Sequence, residues 1–128
     1  MQIQEILEKV AVFQKATDQP VADSPSIGED KDVVLRYRLM NEENSEYLTA
    51  YSENDKVEIL DAVVDMLYIL AGTINTHGLQ GVIEEAFNRV HENNMTKVGA
   101  DGKVLRNPDG KILKPENFVP VDLSDLVI

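Results

Sequence analysis

From Val57 to Ile74 the sequence is apolar on nearly every side of a helix (Ile59, Leu60, Val63, Val64, Met66, Leu67, Ile69, Leu70), and its only charges beyond the first turn are Asp61 and Asp65. Such a helix does not lie on a solvated surface; the pattern predicts one surrounded by other helices. Setting Val57 at 0° and advancing about 100° per residue places Asp61 near ~40°, Gly72 near ~60°, Asp65 near ~80° and Glu58 near ~100°, one narrow strip. Burying an unpaired carboxylate costs several kcal/mol, so two Asp one turn apart on a buried helix demand positive charge from elsewhere.

The rest of the chain supplies neighbours for that helix. Ile3, Ile6, Leu7, Val10 and Phe13 recur at helical spacing and predict a first amphipathic helix over about Gln2–Ala16. Thr17–Asp30, with two prolines, Gly28 and several Asp and Ser, reads as a loop. Asp30 or Asp32 can cap a second helix through Ser52, with Leu39, Met40, Tyr47, Leu48 and Tyr51 on its apolar face. Asn54, Asp55 and Lys56 allow only a tight turn, so a third helix, capped by Asn54 or Asp55 and running to Gly78, must lie antiparallel to the second. A fourth helix fits Gly81–Asn93.

Beyond it the chemistry changes. Between Lys97 and Lys114, Lys97, Lys103, Arg106, Lys111 and Lys114 face only Asp101 and Asp109, and two Asp-Gly turn signals predict a hairpin or extended arm. The repeated Asp-Gly-Lys lacks the other oxygen ligands of a calcium loop. Phe118–Ile128, with Pro120, reads as an irregular packed tail. The expectation is an all-α single domain over 1–128, with a basic arm at about 97–115.

Composition narrows the function. The 128 residues, 43% apolar and 27% charged, suit one globular domain, and the lack of cysteine removes disulfide scaffolds, thiolate zinc sites and cysteine nucleophiles. A net charge of -11 argues against a nucleic-acid partner and favours cations. Met1–Gln14 lacks the apolar core of a signal peptide, and Ala62–Ile74 is broken by Asp65 and falls short of the roughly 20 residues that span a bilayer. A cytoplasmic protein with no membrane partner is expected.

The charge has a focus: eight acidic side chains and one basic one, Lys56, lie between Glu42 and Asp65. Glu43 and Glu46 share a stripe of the second helix with Leu39 and Ala50, whereas Glu42 points about 100° away from Glu43 and should be solvated. Glu43 and Glu46 thus face Asp61 and Asp65 across the hairpin. Lys56 sits more than two turns from Asp65, leaving Arg36, Arg38 or a bound cation to compensate. Ion pairs with those arginines would make the acids an ordinary structural network, and Glu58 could merely complement the helix dipole. All-oxygen ligands select Mg²⁺ or Mn²⁺ before zinc, with water and phosphate oxygens completing the shell.

Four segments, in order, carry a family resemblance: Leu39-Met40-Asn41-Glu42-Glu43-Asn44-Ser45-Glu46, Asp61-Ala62-Val63-Val64-Asp65-Met66-Leu67-Tyr68, Val90-His91-Glu92-Asn93-Asn94-Met95-Thr96-Lys97 and Asp109-Gly110-Lys111-Ile112-Leu113-Lys114-Pro115. With Phe13-Gln14 and Gln19-Pro20 ahead of them, the chain resembles the MazG-like, phosphoribosyl-ATP-pyrophosphohydrolase-like all-α NTP pyrophosphohydrolases, especially small bacterial and phage members. The resemblance implies a four- to five-helix bundle completed as a homodimer or homotetramer. It also implies Mg²⁺-dependent cleavage of a nucleoside triphosphate, NTP or dNTP, to monophosphate and pyrophosphate.

By position it assigns Glu43, Glu46, Asp61 and Asp65 to the metal, Glu43 or Glu46 to the attacking water, Asn94, Lys97, Lys111 and Lys114 to phosphates, and Phe13 and Gln14 to the base. Glu58 is a second-rank metal ligand. The common pattern would put Glu where Ala62 stands; here the acid is Asp61, one residue earlier. His91 reads as a helix-face or capping residue. No aromatic pair visible in the sequence announces a base preference. The rivals are a non-catalytic helical oligomer that binds nucleotides or regulates and, disfavoured by the tail at Lys111–Pro115, a hydrolase of phosphoribosyl-ATP.

Overall fold

A computed structural model describes Met1–Ile128 as four helices and no strand: α1, Ile3–Ala16; α2, Asp30–Ser52; α3, Lys56–Thr76; and α4, Ile83–Met95, with a 3-10 turn at Ser124–Leu126. The fold is all-α, as the periodicity predicts. None of the helices is long and apolar enough to cross a membrane. The chain packs as two compact units, Met1–Gly81 and Val82–Ile128, where length suggested one core.

In the first unit the hairpin turn explains itself locally. The Asp55 carboxylate accepts hydrogen bonds from the amides of Val57 (3.0 Å) and Glu58 (3.1 Å), starting α3, while Asn54 takes the left-handed conformation (φ 56°) that Asn tolerates. Of the two caps predicted, Asp55 is the one used. At its other end α3 stops at Thr76, two residues short of Gly78. Gly78 has φ 65°, and a Cβ there would lie 2.1 Å from the Ser24 carbonyl oxygen, so only glycine fits. The N-cap of α2 is Glu29, without a side-chain cap bond; Asp30 and Asp32 instead lie in the first turn, where they complement the dipole. Helix α4 begins at Ile83 and continues to Met95, two residues later at each end than predicted: a turn occupies the residues after Gln80, and no Gly or Pro stops the helix at Asn93.

The buried apolar side chains of this unit are few: Leu7 and Val10 of α1, Ala50 of α2, and Ala62, Ala71 and Ile74 of α3. A polar network joins them. The Gln14 amide donates to the Gly72 carbonyl (2.9 Å) and the Thr76 hydroxyl (3.2 Å) and accepts from Asn75 (3.0 Å), which also donates to the Leu7 carbonyl (2.9 Å). Thr76 donates in turn to the Pro20 carbonyl (3.1 Å). Every one of these groups is buried, so each bond avoids the full cost of an unmet donor or acceptor and fixes α1 and the following loop on α3.

One expectation fails within the chain. Helix α3 is not surrounded: it packs on α1 and α2, while Val57, Leu60, Val63, Val64, Leu67 and Leu70 remain exposed, Leu60 at 64%. Three helices have too few faces to enclose a helix that is apolar on all sides.

In the second unit, α4 is followed by two turns with glycines at positive φ, Gly102 (76°) and Gly110 (85°), and a minimal hairpin closed by one bridge between Arg106 and Ile112. The Leu113 amide donates to the Leu105 carbonyl (2.7 Å), and the Asn107 side chain accepts from the amides of Asp109 and Lys111. The tail is held by Arg89, which makes a two-pronged pair with Asp125 (2.6 and 2.9 Å) and a third bond to Glu85 (2.9 Å). The Arg89 bond holds the Asp125 carboxyl below its usual range. Replacing Arg89 by Ala is therefore expected to release the tail, seen as faster amide exchange at Leu126, with little change in the melting temperature because the pair is solvent-exposed. Unchanged exchange there would show that other contacts hold the tail.

Candidate active site

The antiparallel hairpin brings together residues equally far from Asn54 in sequence. Arg36 meets Gly72, Leu39 and Ile69 share a pocket, and Glu43 faces Asp65. One carboxylate oxygen from each of Glu43, Glu46 and Asp65 lies within 4.8 Å of the other two. Glu43 and Asp65 are half-buried, and Glu46 is exposed.

This cluster has no internal counter-charge. The chain's only two side-chain ion pairs both belong to Arg89. Arg36 is buried and donates to the Gln19 carbonyl oxygen (3.0 Å), so it does not neutralise the acids, and Arg38 pairs with no carboxylate. The ion-pair alternative left open by the sequence therefore falls away. The Glu43 carboxyl is pushed up to about 7, first by burial, then by its hydrogen bond with Glu46 and the negative charges of Glu46, Asp65 and Asp61. Asp65 is raised by burial and by Asp61 and Glu46. One oxygen of Glu43, Oε2, is buried with no hydrogen-bond donor. A buried, donorless carboxylate oxygen among other carboxylates fits a hard divalent cation, which supplies the missing positive charge.

Asp61 stands outside the three-carboxylate cluster. It is exposed and, with Glu46, Glu53 and Glu58, lines an acidic cavity of about 270 Å³ floored by Ala50 and Ala62. Ala62, where the common family pattern carries Glu, is buried between the helices. Glu58 shares the cavity with Asp61 rather than joining Asp65. Glu42 is exposed, as predicted.

On the far side of Glu43 lies a second pocket, of about 160 Å³, whose lining includes Phe13, Gln14, Gln19, Arg36 and Tyr68. Phe13 and Tyr68 meet edge to face, centroids 5.7 Å apart and planes at 78°. This aromatic pair was missed in the sequence, because its members come from different helices. Gln14 touches the pocket but has both amide hydrogens committed to the core network.

The residues assigned to phosphate by resemblance lie in the second unit. Lys97 donates to the Asn94 carbonyl oxygen (3.1 Å), and the Lys97 and Lys114 ammonium groups lie 5.6 and 5.4 Å from the centroid of the Phe118 ring. Lys111 is exposed on the hairpin, and His91 is exposed on α4.

The site thus defines a class: all-α proteins with an unneutralised carboxylate cluster between two antiparallel helices. The phosphoribosyl-ATP pyrophosphohydrolase family matches residues 10–94, two thirds of the sequence, from the middle of α1 to the last turn of α4. This chain belongs to that family, within the MazG-like all-α NTP pyrophosphohydrolases, hydrolases of phosphoric anhydrides that are typically dependent on divalent metals. No curated protein sequence matches it. The family match covers all of the acidic residues discussed and Asn94, and it ends before Lys97, Lys111 and Lys114.

Proposed function

We propose that the protein hydrolyses a nucleoside triphosphate, NTP or dNTP, to the monophosphate and pyrophosphate with Mg²⁺, for which Mn²⁺ can substitute. The observation that carries this reading is the buried, donorless Glu43 oxygen inside a carboxylate cluster without any cation of its own. Glu43, Glu46 and Asp65 would hold the ion, with Asp61 beside them and Glu58 second in rank. When bound, the ion neutralises phosphate oxygens, the main requirement of phosphoryl transfer. Glu46 is the exposed member and can meet solvent water, so it is the better placed of the two glutamates to take the water's proton; Glu43 orients it. Asn94, Lys97, Lys111 and Lys114 keep their phosphate-binding role on resemblance. The exposed apolar side of α3 supports a homodimer or homotetramer, since so many large apolar side chains along one helix favour a covering partner.

A second substrate reading, phosphoribosyl-ATP, is favoured by the family that matches. Pyrophosphate release from a panel of NTPs, dNTPs and phosphoribosyl-ATP, each with and without Mg²⁺, tests both. Turnover of ordinary triphosphates with Mg²⁺ is expected. Turnover of phosphoribosyl-ATP alone would transfer the assignment to that substrate, and silence with every nucleotide at every divalent ion would leave a non-catalytic helical module.

A further inference from the structure

Arg36 is a buried cation without an anion. It is 5% exposed, its Nη1 donates to Gln19, its guanidinium lies where a Cβ on residue 72 would be (2.9 Å from Nη1), and its Nε–H is buried with no acceptor. Burial of this kind pushes the guanidinium below its ordinary range. A buried donor without a partner is costly and uncommon in a native protein, and at the wall of a pocket it marks a place for a ligand's acceptor.

The pocket has the shape for one. Arg36 and Gln19 form its polar side, Phe13 and Tyr68 its aromatic side, and Leu39 and Ile69 its apolar wall. Its volume, about 160 Å³, is close to the roughly 150 Å³ of a cavity that holds a single benzene ring. A planar six-membered ring fits that space and a fused two-ring system overfills it. Arg36 precedes Glu43 by two helical turns, about 10 Å along α2, a separation of the order a nucleotide spans between base and phosphate. The free donor selects a carbonyl oxygen on the ring.

We propose that this pocket takes the base of a pyrimidine nucleotide and that Arg36 reads a ring carbonyl oxygen through its unpartnered Nε–H. The inference rests on the nucleotide reading of the acidic cluster and adds the base class. It makes Arg36 a specificity residue, with Phe13 as the ring's aromatic wall.

The test compares kcat/KM for dUTP, dTTP and dCTP with that for dATP and dGTP in wild type, Arg36→Lys and Phe13→Ala. In parallel, ligand-observed NMR follows binding of dUMP and dAMP, which need no turnover. Wild type should prefer pyrimidines by at least about tenfold. Arg36→Lys keeps the charge but loses the fixed Nε–H, and should narrow that preference through KM while Mg²⁺ affinity is unchanged. Should Arg36→Lys fail to fold, Phe13→Ala decides: Phe13 is 49% exposed, so its loss leaves the core intact and should weaken dUMP binding. Purines turned over as well as pyrimidines, or dUMP bound no better than dAMP, would overturn the proposal. Selective dUMP binding lost in Phe13→Ala, with no triphosphate hydrolysed, would support the pocket while overturning the hydrolase reading.

Discussion

Asp65→Asn should lower Mg²⁺-dependent pyrophosphate release by about 100-fold or more, the scale typical for removing one electrostatic contributor to a transition state. The same substitution should raise the melting temperature of the metal-free protein by roughly 3–5 °C, the shift that about 1 kcal/mol produces in a domain of this size. The two effects share a cause. Asp65 is half-buried on α3, its carboxyl is raised by burial and by the charges of Asp61 and Glu46, and no arginine or lysine pairs with it. Its negative charge is therefore a cost in the empty site and an asset only when a cation is there. Asn keeps the shape and removes the charge. Opposite movements of activity and stability are the signature of a functional carboxylate; near-normal turnover in Asp65→Asn would remove it from the metal set, and a lowered melting temperature would mean that its charge stabilises the fold.

The second large effect is a dependence of metal-free stability on pH that Mg²⁺ reverses. In the folded chain the Glu43 carboxyl sits at about 7 against an ordinary 4.5. Between those values the native state holds a proton that the unfolded chain has already released, so stability falls as pH rises through that window and levels off above about pH 7. Mg²⁺ competes with that proton. It should bind more tightly as pH rises toward about 7, and stabilise the folded state by mass action most strongly in the alkaline range. Thermal melts from about pH 5 to about pH 8, with chelator and with Mg²⁺, give two curves that should diverge upward in pH. Parallel curves would show that Glu43 does not exchange its proton for the ion.

Much of the site was legible in the chain because it depends on short-range rules. Helical period groups Glu43 with Glu46, and the cap at Asp55 with the turn at Asn54 sets the hairpin register, so Glu43 falls opposite Asp65. Glu42 points out by the same count. The register also has limits. Asp61 looked equivalent to Asp65 on the strip, yet the structure leaves it exposed in the adjoining acidic cavity, because the helices' close approach at Ala50 and Ala62 buries the neighbouring position instead. Gly72 seemed to extend the acidic strip; it is the gap that receives the Arg36 guanidinium.

Periodicity, capping and charge thus carried the all-α class, the antiparallel hairpin and the carboxylate cluster, since each follows from backbone geometry within a few turns of one hairpin. Three things belonged to the tertiary structure alone: the Phe13–Tyr68 pair, the turning of Arg36 toward Gln19 and Gly72 rather than the acids, and the bare apolar side of α3. All depend on where α1 and the loop after it settle on the hairpin. That placement is decided by long-range contacts such as Gln14 with Gly72 and Asn75 with Leu7, whose partners no local periodicity connects.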